Sequence, residues 1–199
     1  MFSRLTILFA FFLVITNTYA QNDVLDHQLQ KGIKAYNKGQ YAKAERIFDK
    51  LIAEEEGYAD AYLWKGKCLQ EFEEYYEAYE QLSAAINLDE ERAFFWLEMG
   101  KFKHHLGMSS LQKPDLCGSC GKLILPETNK DFKPTDYYKK ALLDYKKALS
   151  LDNNTSEIHF YIALTYEVLG EKDNACLHLR RASKLGHQQS IERSKKFCP

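Results

Sequence analysis

The sequence contains little proline or glycine and has almost no net charge. Its 199 residues include four prolines and ten glycines, and 45% of them are hydrophobic. This composition argues against disorder and predicts a folded core. The formal net charge is −1. Because there is no basic excess to neutralise phosphates, nucleic acid is not an expected partner.

Motifs that mark catalytic sites are also missing. The sequence has neither a glycine-rich phosphate loop nor a His-Glu-x-x-His pattern, and no nucleophile, base and orienting residue stand in a recognisable arrangement. Acidic residues such as Glu71, Glu73, Glu74 and Glu77 follow helical spacing, which is typical of a solvated face. We therefore expect a protein that is not an enzyme.

Long hydrophobic runs are absent except at the beginning of the chain. Residues 1–20 have the pattern of a signal peptide, with Arg4 ahead of an apolar run from Leu5 to Ile15 and with Ala20 before the expected cleavage at Gln21. A membrane anchor is the alternative, but the run is far shorter than the roughly 20 residues that span a bilayer. We expect export to the periplasm or the medium, without membrane insertion of the mature chain.

A 34-residue period organises residues 21–199. In the stretch Ala59–Arg92, Tyr62, Gly66 and Leu69 share one face of a predicted helix. A second helix follows with its own face, formed by Tyr75, Ala78, Leu82 and Ala85. Small residues such as Gly66 and Ala78 allow the two helices to approach closely.

The same pattern recurs before and after this stretch. The repeats cover residues 25–58, 59–92, 93–155 and 156–189, and the third contains an insertion at 109–137. Predicted helices occupy 25–38, 41–55, 59–72, 75–88, 93–106, 135–151, 156–169 and 172–184. A polar helix at 188–197 is expected to cap the open end of the stack.

This pattern, including Gly39-Gln40-Tyr41-Ala42-Lys43-Ala44, resembles the tetratricopeptide repeat (TPR) family. The resemblance implies an all-α, right-handed superhelix of about four helix pairs with a C-terminal capping helix. The family's proline at position 32 of each repeat is missing; the residues that stand there are Glu56, Glu90, Asn153 and His187.

The resemblance further implies that the first helix of each repeat lines a concave groove. An apolar stripe is expected there, formed by Leu29, Ile33, Leu63, Leu97, Phe160 and Leu164. Tyr36 is expected beside it, and donors lie within it at Lys67, Lys101, His104 and His105. Such a groove suits a protein or peptide with apolar side chains and an acidic group. Alternatively, the stripe packs against the superhelix itself or against the insertion.

The insertion contains Cys117 and Cys120 in a Cys-x-x-Cys-Gly sequence. A local disulfide is one interpretation in an oxidising compartment. A second is a zinc site completed by His104 and His105, although a single pair of this kind is a weak metal signal. Thiol–disulfide exchange is a third interpretation.

The remaining cysteines are Cys68, Cys176 and Cys198. Cys68 falls near the repeat core and is expected to be a buried apolar residue. Cys176 and Cys198 each lie 11 residues from His187. Because antiparallel helices rise equally on both sides of a turn at His187, we predict a disulfide between them.

The sequence thus favours an exported scaffold that binds a protein or peptide in a groove of helical repeats. Two alternatives stay open. One is a thiol- or zinc-binding protein whose repeats display Cys117 and Cys120, and the other is a structural subunit of a surface assembly.

Overall fold

The computed structural model describes residues 23–112 and 133–198. Within these ranges the chain forms nine helices and no strand, which confirms the predicted all-α fold. We number the helices in chain order: α1 (23–37), α2 (Tyr41–Glu54), α3 (Ala59–Glu71), α4 (Tyr75–Leu88), α5 (Ala93–Gln112), α6 (Pro134–Leu151), α7 (Ser156–Val168), α8 (Lys172–Lys184) and α9 (Gln188–Phe197).

Consecutive helices pack in pairs, and each pair buries the face that its periodicity predicts. In α4 the four predicted core residues, Tyr75, Ala78, Leu82 and Ala85, are all buried. They pack with residues of α3 and α5 in one apolar cluster. Helices α1/α2, α3/α4, α5/α6 and α7/α8 therefore form four successive repeats.

Glycines on α1, α3 and α5 set the distance within three of the four pairs. A methyl group added to Gly32 would lie 2.4 Å from the ring of Phe48, and one added to Gly100 would lie 2.4 Å from the ring of Tyr145. These separations are far below van der Waals contact. Only glycine at these two positions leaves room for the large ring of the second helix.

A residue with left-handed backbone conformation follows the first helix in three of the repeats. Gly39 and Gly170 have φ values of 71° and 78°, which glycine adopts without strain. Glu73 takes the corresponding position after α3 with a φ of 61°. This conformation costs a non-glycine residue roughly 1 kcal/mol.

The third repeat differs from the prediction at its turn. Helix α5 continues to Gln112 rather than ending at 106, and α6 begins at Pro134. Gly107 does not turn the chain; it lies against the ring of Tyr138, and a methyl group there would approach that ring to 2.7 Å. The helix pair thus includes residues 109–112 and 134–137 of the predicted insertion, and Tyr137 is buried there. Residues 113–132 lie outside the described ranges.

Helix α9 covers the end of the stack at the predicted position. Its C-terminal residues Phe197 and Cys198 pack against a cluster that contains Phe160 and Leu179. At its N-terminus the His187 side chain accepts a hydrogen bond from the Ser190 amide at 3.3 Å.

Candidate interaction surface along the first helices

Side chains of α1, α3, α5 and α7 form a continuous surface, which we call the first-helix face. Polar contacts join each of these helices to the next. The Tyr36 hydroxyl donates to Glu71 at 3.0 Å between α1 and α3, and the Arg193 guanidinium of α9 pairs with Glu167 of α7. Charged contacts therefore link neighbouring repeats from α1 to the cap.

At the centre of this face lies a four-residue charge network, formed by Lys67, Glu98, Lys101 and Glu157. Lys67 Nζ lies 2.7 Å from Glu98 Oε2, across the α3–α5 boundary. Lys101 Nζ lies 2.7 Å from Glu98 Oε1 and 2.5 Å from Glu157 Oε1, across the α5–α7 boundary. The network thus spans the second, third and fourth repeats.

Burial and charge act in opposite directions within the network. Burial would raise the pKa of Glu98, but Lys67 and Lys101 outweigh it, so that this pKa falls below its ordinary value. Burial likewise disfavours the charged form of Lys101, yet Glu98 and Glu157 raise its pKa. Glu98 and Lys101 are therefore both charged near neutral pH.

Aromatic rings surround both lysines. Lys67 Nζ lies 4.5 Å from the ring centroid of Trp64 and 5.8 Å from that of Tyr36. Lys101 Nζ lies 4.7 Å from the ring centroid of Tyr161. Cation–π attraction of this kind contributes about 0.5–2 kcal/mol per pair, and it holds the two ammonium groups at the surface of the stack.

The two histidines expected in the groove have different surroundings. His104 is buried, and its Nδ1 lies 2.8 Å from Thr165 Oγ1 of α7. Burial, together with the neighbouring His105, lowers the pKa of His104 to about 4. His105 is half-buried, and burial lowers its pKa as well. His104 thus joins two repeats as a neutral residue instead of offering a free donor.

The predicted apolar stripe lies largely inside the stack. Leu29, Leu63, Leu97 and Phe160 are buried, whereas Ile33 and Leu164 are half-buried. For these four residues the second possibility applies: the apolar stripe packs within the superhelix instead of lining a groove. The solvent-exposed side chains of the first-helix face are therefore mainly charged and aromatic.

Sequence reasoning identified both lysines but missed their partner Glu98. Glu98 follows Lys67 by 31 residues, which places it at position 6 of the next repeat, facing position 9 of the preceding one. Trp64 occupies position 6 in the second repeat. The signal that would have found Glu98 is its i,i+3 spacing from Lys101.

The cysteines occupy three different settings. Cys68 is fully buried, and burial, followed by the nearby Glu45 carboxylate, raises the pKa of its thiol to about 12. Cys176 and Cys198 are joined in the structure with a Cα–Cα distance of 5.5 Å. Cys117 and Cys120 lie outside the described residues, so their proposed disulfide, zinc and exchange chemistry stays a prediction.

Neither a metal centre nor a membrane span is evident in the described part of the chain. No three His, Cys, Asp or Glu side chains within residues 23–112 and 133–198 are grouped to hold a metal ion. None of the helices in these ranges combines the length and apolar character needed to cross a bilayer.

The paired helices, their glycine contacts and their shared first-helix face define a helical-repeat protein with a TPR fold. The fold is similar to that of TTC0263, a TPR protein of Thermus thermophilus, with a TM-score of 0.66 and 20% identity over 85% of this chain and 78% of the other. It is also similar to MamA (41-end) from Desulfovibrio magneticus RS-1, with a TM-score of 0.55 and 19% identity over 83% and 77% of the two chains.

The TPR domain of Arabidopsis OM64 has a TM-score of 0.51 and 15% identity over 70% of this chain and 93% of the domain. No family model and no curated protein matches the sequence. At these identities the similarity establishes the fold alone, and the function is argued from the surface.

Proposed function

We propose that the protein is an exported scaffold that binds a protein or peptide partner along the first-helix face. The observation that carries this proposal is the four-residue charge network at the centre of that face. Buried ion pairs contribute little net stability compared with apolar packing. Beyond joining the repeats, their position on the first-helix side of three successive repeats suits them to recognition.

The members of the network differ in exposure, and this difference suggests how a partner would bind. The Glu98 side chain is only 6% exposed, whereas that of Glu157 is 41% exposed. A carboxylate of the partner can replace Glu157 on Lys101 without disturbing Glu98. Tyr36 and Tyr161 then provide half-buried aromatic surface for apolar side chains of the same partner.

Export is the part of the proposal that rests on the sequence. Residues 1–20 have the charge, the apolar run and the small terminal residue of a cleaved signal peptide. N-terminal sequencing of the protein recovered outside the cytosol tests this directly. A mature protein that begins at Gln21 supports export, and an uncleaved cytosolic chain contradicts it.

The binding proposal is tested by selecting peptides from a displayed library on the immobilised chain without residues 1–20. We expect enriched sequences that combine a carboxylate with apolar residues. Lys101→Met should weaken the selected peptides at least about tenfold, because it removes the cation they contact. Glu157→Gln should strengthen them, because it removes the competing carboxylate from the chain.

The matched control is Lys43→Met, which removes an exposed lysine from α2 on the opposite side of the first repeat. This variant should bind as the unmodified chain does. Circular dichroism checks that each variant is folded. If peptides are selected but bind the Lys101→Met variant unchanged, the first-helix face is not the binding site.

A further inference from the structure

Two corresponding helices of neighbouring repeats carry opposite charge. Helix α4 and its flanking turns, residues 68–91, contain eight Asp and Glu residues and no Lys or Arg. The start and middle of α6, residues 133–147, contain five lysines and two aspartates. One of these aspartates, Asp144, is buried and paired with Lys103 at 2.7 Å. The other, Asp136, lies 3.5 Å from Lys139. The solvent side of α6 therefore keeps an excess of positive charge.

This basic side of α6 borders a groove, which we call the α6 groove. It has a volume of about 460 Å³ and lies between α6 and the turn that joins α7 to α8. Leu142, Leu143 and Leu169 provide its apolar wall, and the polar lining consists of Lys139, Lys146, Thr135 and Glu171. Leu143 is 59% exposed. The two lysines are seven residues apart, or about 10 Å along the helix.

The solvent side of α4 has the complementary character. Tyr76 is 40% exposed, although it is a large aromatic residue. Phe72 is exposed nearby in the preceding turn, and the exposed carboxylates Glu77 and Glu80 lie next to Tyr76 on α4. We call these four residues the α4 patch. It presents aromatic surface bordered by negative charge.

We propose that the α6 groove of one chain binds the α4 patch of a second copy of the same chain. The Tyr76 ring is of suitable size and polarity to cover Leu142 and Leu143. Glu77 and Glu80 then lie within reach of Lys139 and Lys146. Charge complementarity selects this occupant, because the acidic and aromatic α4 patch of the chain matches a groove with an apolar wall and an excess of positive charge.

This contact leaves the first-helix face accessible. Tyr76 and Leu143 lie on the sides of α4 and α6 opposite the buried residues Ala78 and Ala141, which pack toward the first helices. In a two-fold pair, the groove of each chain faces the patch of the other, so that the contact forms twice. The inference is therefore independent of peptide binding, and either can fail alone.

The test is analytical ultracentrifugation of the chain without residues 1–20 over a range of concentrations and salt. We expect reversible association that weakens as salt rises, because solvent-exposed charges are screened. The double variant Lys139→Glu, Lys146→Glu should lower the association constant about 100-fold, since its groove repels its own α4 patch. The double variant Glu77→Lys, Glu80→Lys should do the same.

The decisive experiment measures the association of the two double variants when they are mixed. The acidic groove of the first variant matches the basic patch of the second, and the remaining groove and patch are those of the natural chain. We therefore expect the mixture to associate although each variant alone does not. The control, Lys43→Glu with Lys50→Glu, reverses two exposed lysines on α2 and should associate normally.

Three results would overturn the inference: a chain that stays monomeric at every concentration, association that neither double variant weakens, or a mixture that fails to associate. Circular dichroism and thermal unfolding establish that both variants are folded. Peptide binding by the same variants separates a failure of self-association from a failure of the first-helix face.

Discussion

The glycine contacts within a repeat and the polar contacts between first helices of neighbouring repeats have different chemistry in this protein. Within each of the first three repeats, a glycine on the first helix contacts a large ring or a leucine of the second, as Gly100 contacts Tyr145. Between repeats, ion pairs and hydrogen bonds join the first helices, as Lys67 joins Glu98. Shape fixes the geometry of each pair, and charge contributes to the register of one pair on the next.

Glycine contacts and charged contacts differ in the functions that they can serve. A glycine contact has no room for any other group, so it can serve only the fold. A charged contact can exchange one of its partners for a group of a ligand. Surfaces that bind are therefore expected between repeats, where Glu157 remains exposed beside Lys101.

The largest effect is expected from filling a contact within a repeat. Gly100→Val should lower the free energy of unfolding by about 3 to 4 kcal/mol, because its side chain overlaps the buried Tyr145 ring. Urea unfolding followed by circular dichroism measures it. Gly57→Ala is the control, since its added methyl group meets only the flexible side chain of Glu55. If Gly100→Val and Gly57→Ala both have equally small effects, the close approach of Gly100 to the Tyr145 ring is contradicted.

A slightly smaller effect is expected at the cap. Cys176→Ser should lower the free energy of unfolding by about 3 kcal/mol, because the disulfide closes a loop across a separation of 22 residues. Cys198→Ser should have the same effect, and the double variant should add nothing. The mass of peptides from the unreduced protein checks the bond itself; Cys176 recovered only as a free thiol would remove this prediction.

Acidification should weaken a contact between repeats. The folded chain keeps His104 neutral with a pKa of about 4, while the unfolded chain protonates it below its ordinary value of 6.5. Between these two pKa values the unfolded chain binds more protons than the folded chain. The free energy of unfolding therefore decreases as the pH falls from 6.5 toward 4.

From pH 7 to pH 5, His104 should contribute roughly 2 kcal/mol of this loss. His104→Asn keeps a polar group facing Thr165 and does not titrate, so the loss should shrink by that amount in urea unfolding at the two pH values. The control is His27→Asn, at an exposed position of α1. A loss that is unchanged in His104→Asn would show that this residue is not the cause.

The smallest effect concerns the turn that ends α3. Glu73→Gly should raise the free energy of unfolding by about 0.5 to 1 kcal/mol, because glycine adopts a φ of 61° without strain. Glu77→Gly, inside α4, should instead lower it by about 1 kcal/mol. If both variants change stability in the same direction, the left-handed turn at Glu73 is not strained.

Most of the fold follows from the sequence because contacts within a repeat recur every 34 residues. Gly66, Ala78 and Leu82 stand in fixed positions, and the same types return in the other repeats. The length of α5 could not be predicted in this way. Gly107 has the residue type of a turn, but its contact with Tyr138 keeps the helix intact.

The candidate site was only partly predictable for a related reason. Contacts between repeats depend on single pairs, such as Lys101 with Glu157, which are 56 residues apart and on either side of the insertion. The 34-residue period does not relate the positions of these two residues. The sequence likewise left open whether Leu63 and Leu97 line a groove or pack within the stack, because positions of both kinds carry the same apolar residue.

The most direct test of this division between shape and charge is a double-mutant cycle in urea unfolding with Lys67→Met and Glu98→Gln. The reference cycle uses Lys65 and Asp49, which also lie 2.7 Å apart but are more exposed. We predict a coupling of about 2 kcal/mol for Lys67 with Glu98 and less than about 1 kcal/mol for the reference pair. Couplings that are equally small for both pairs would contradict the claim that buried charge joins the repeats.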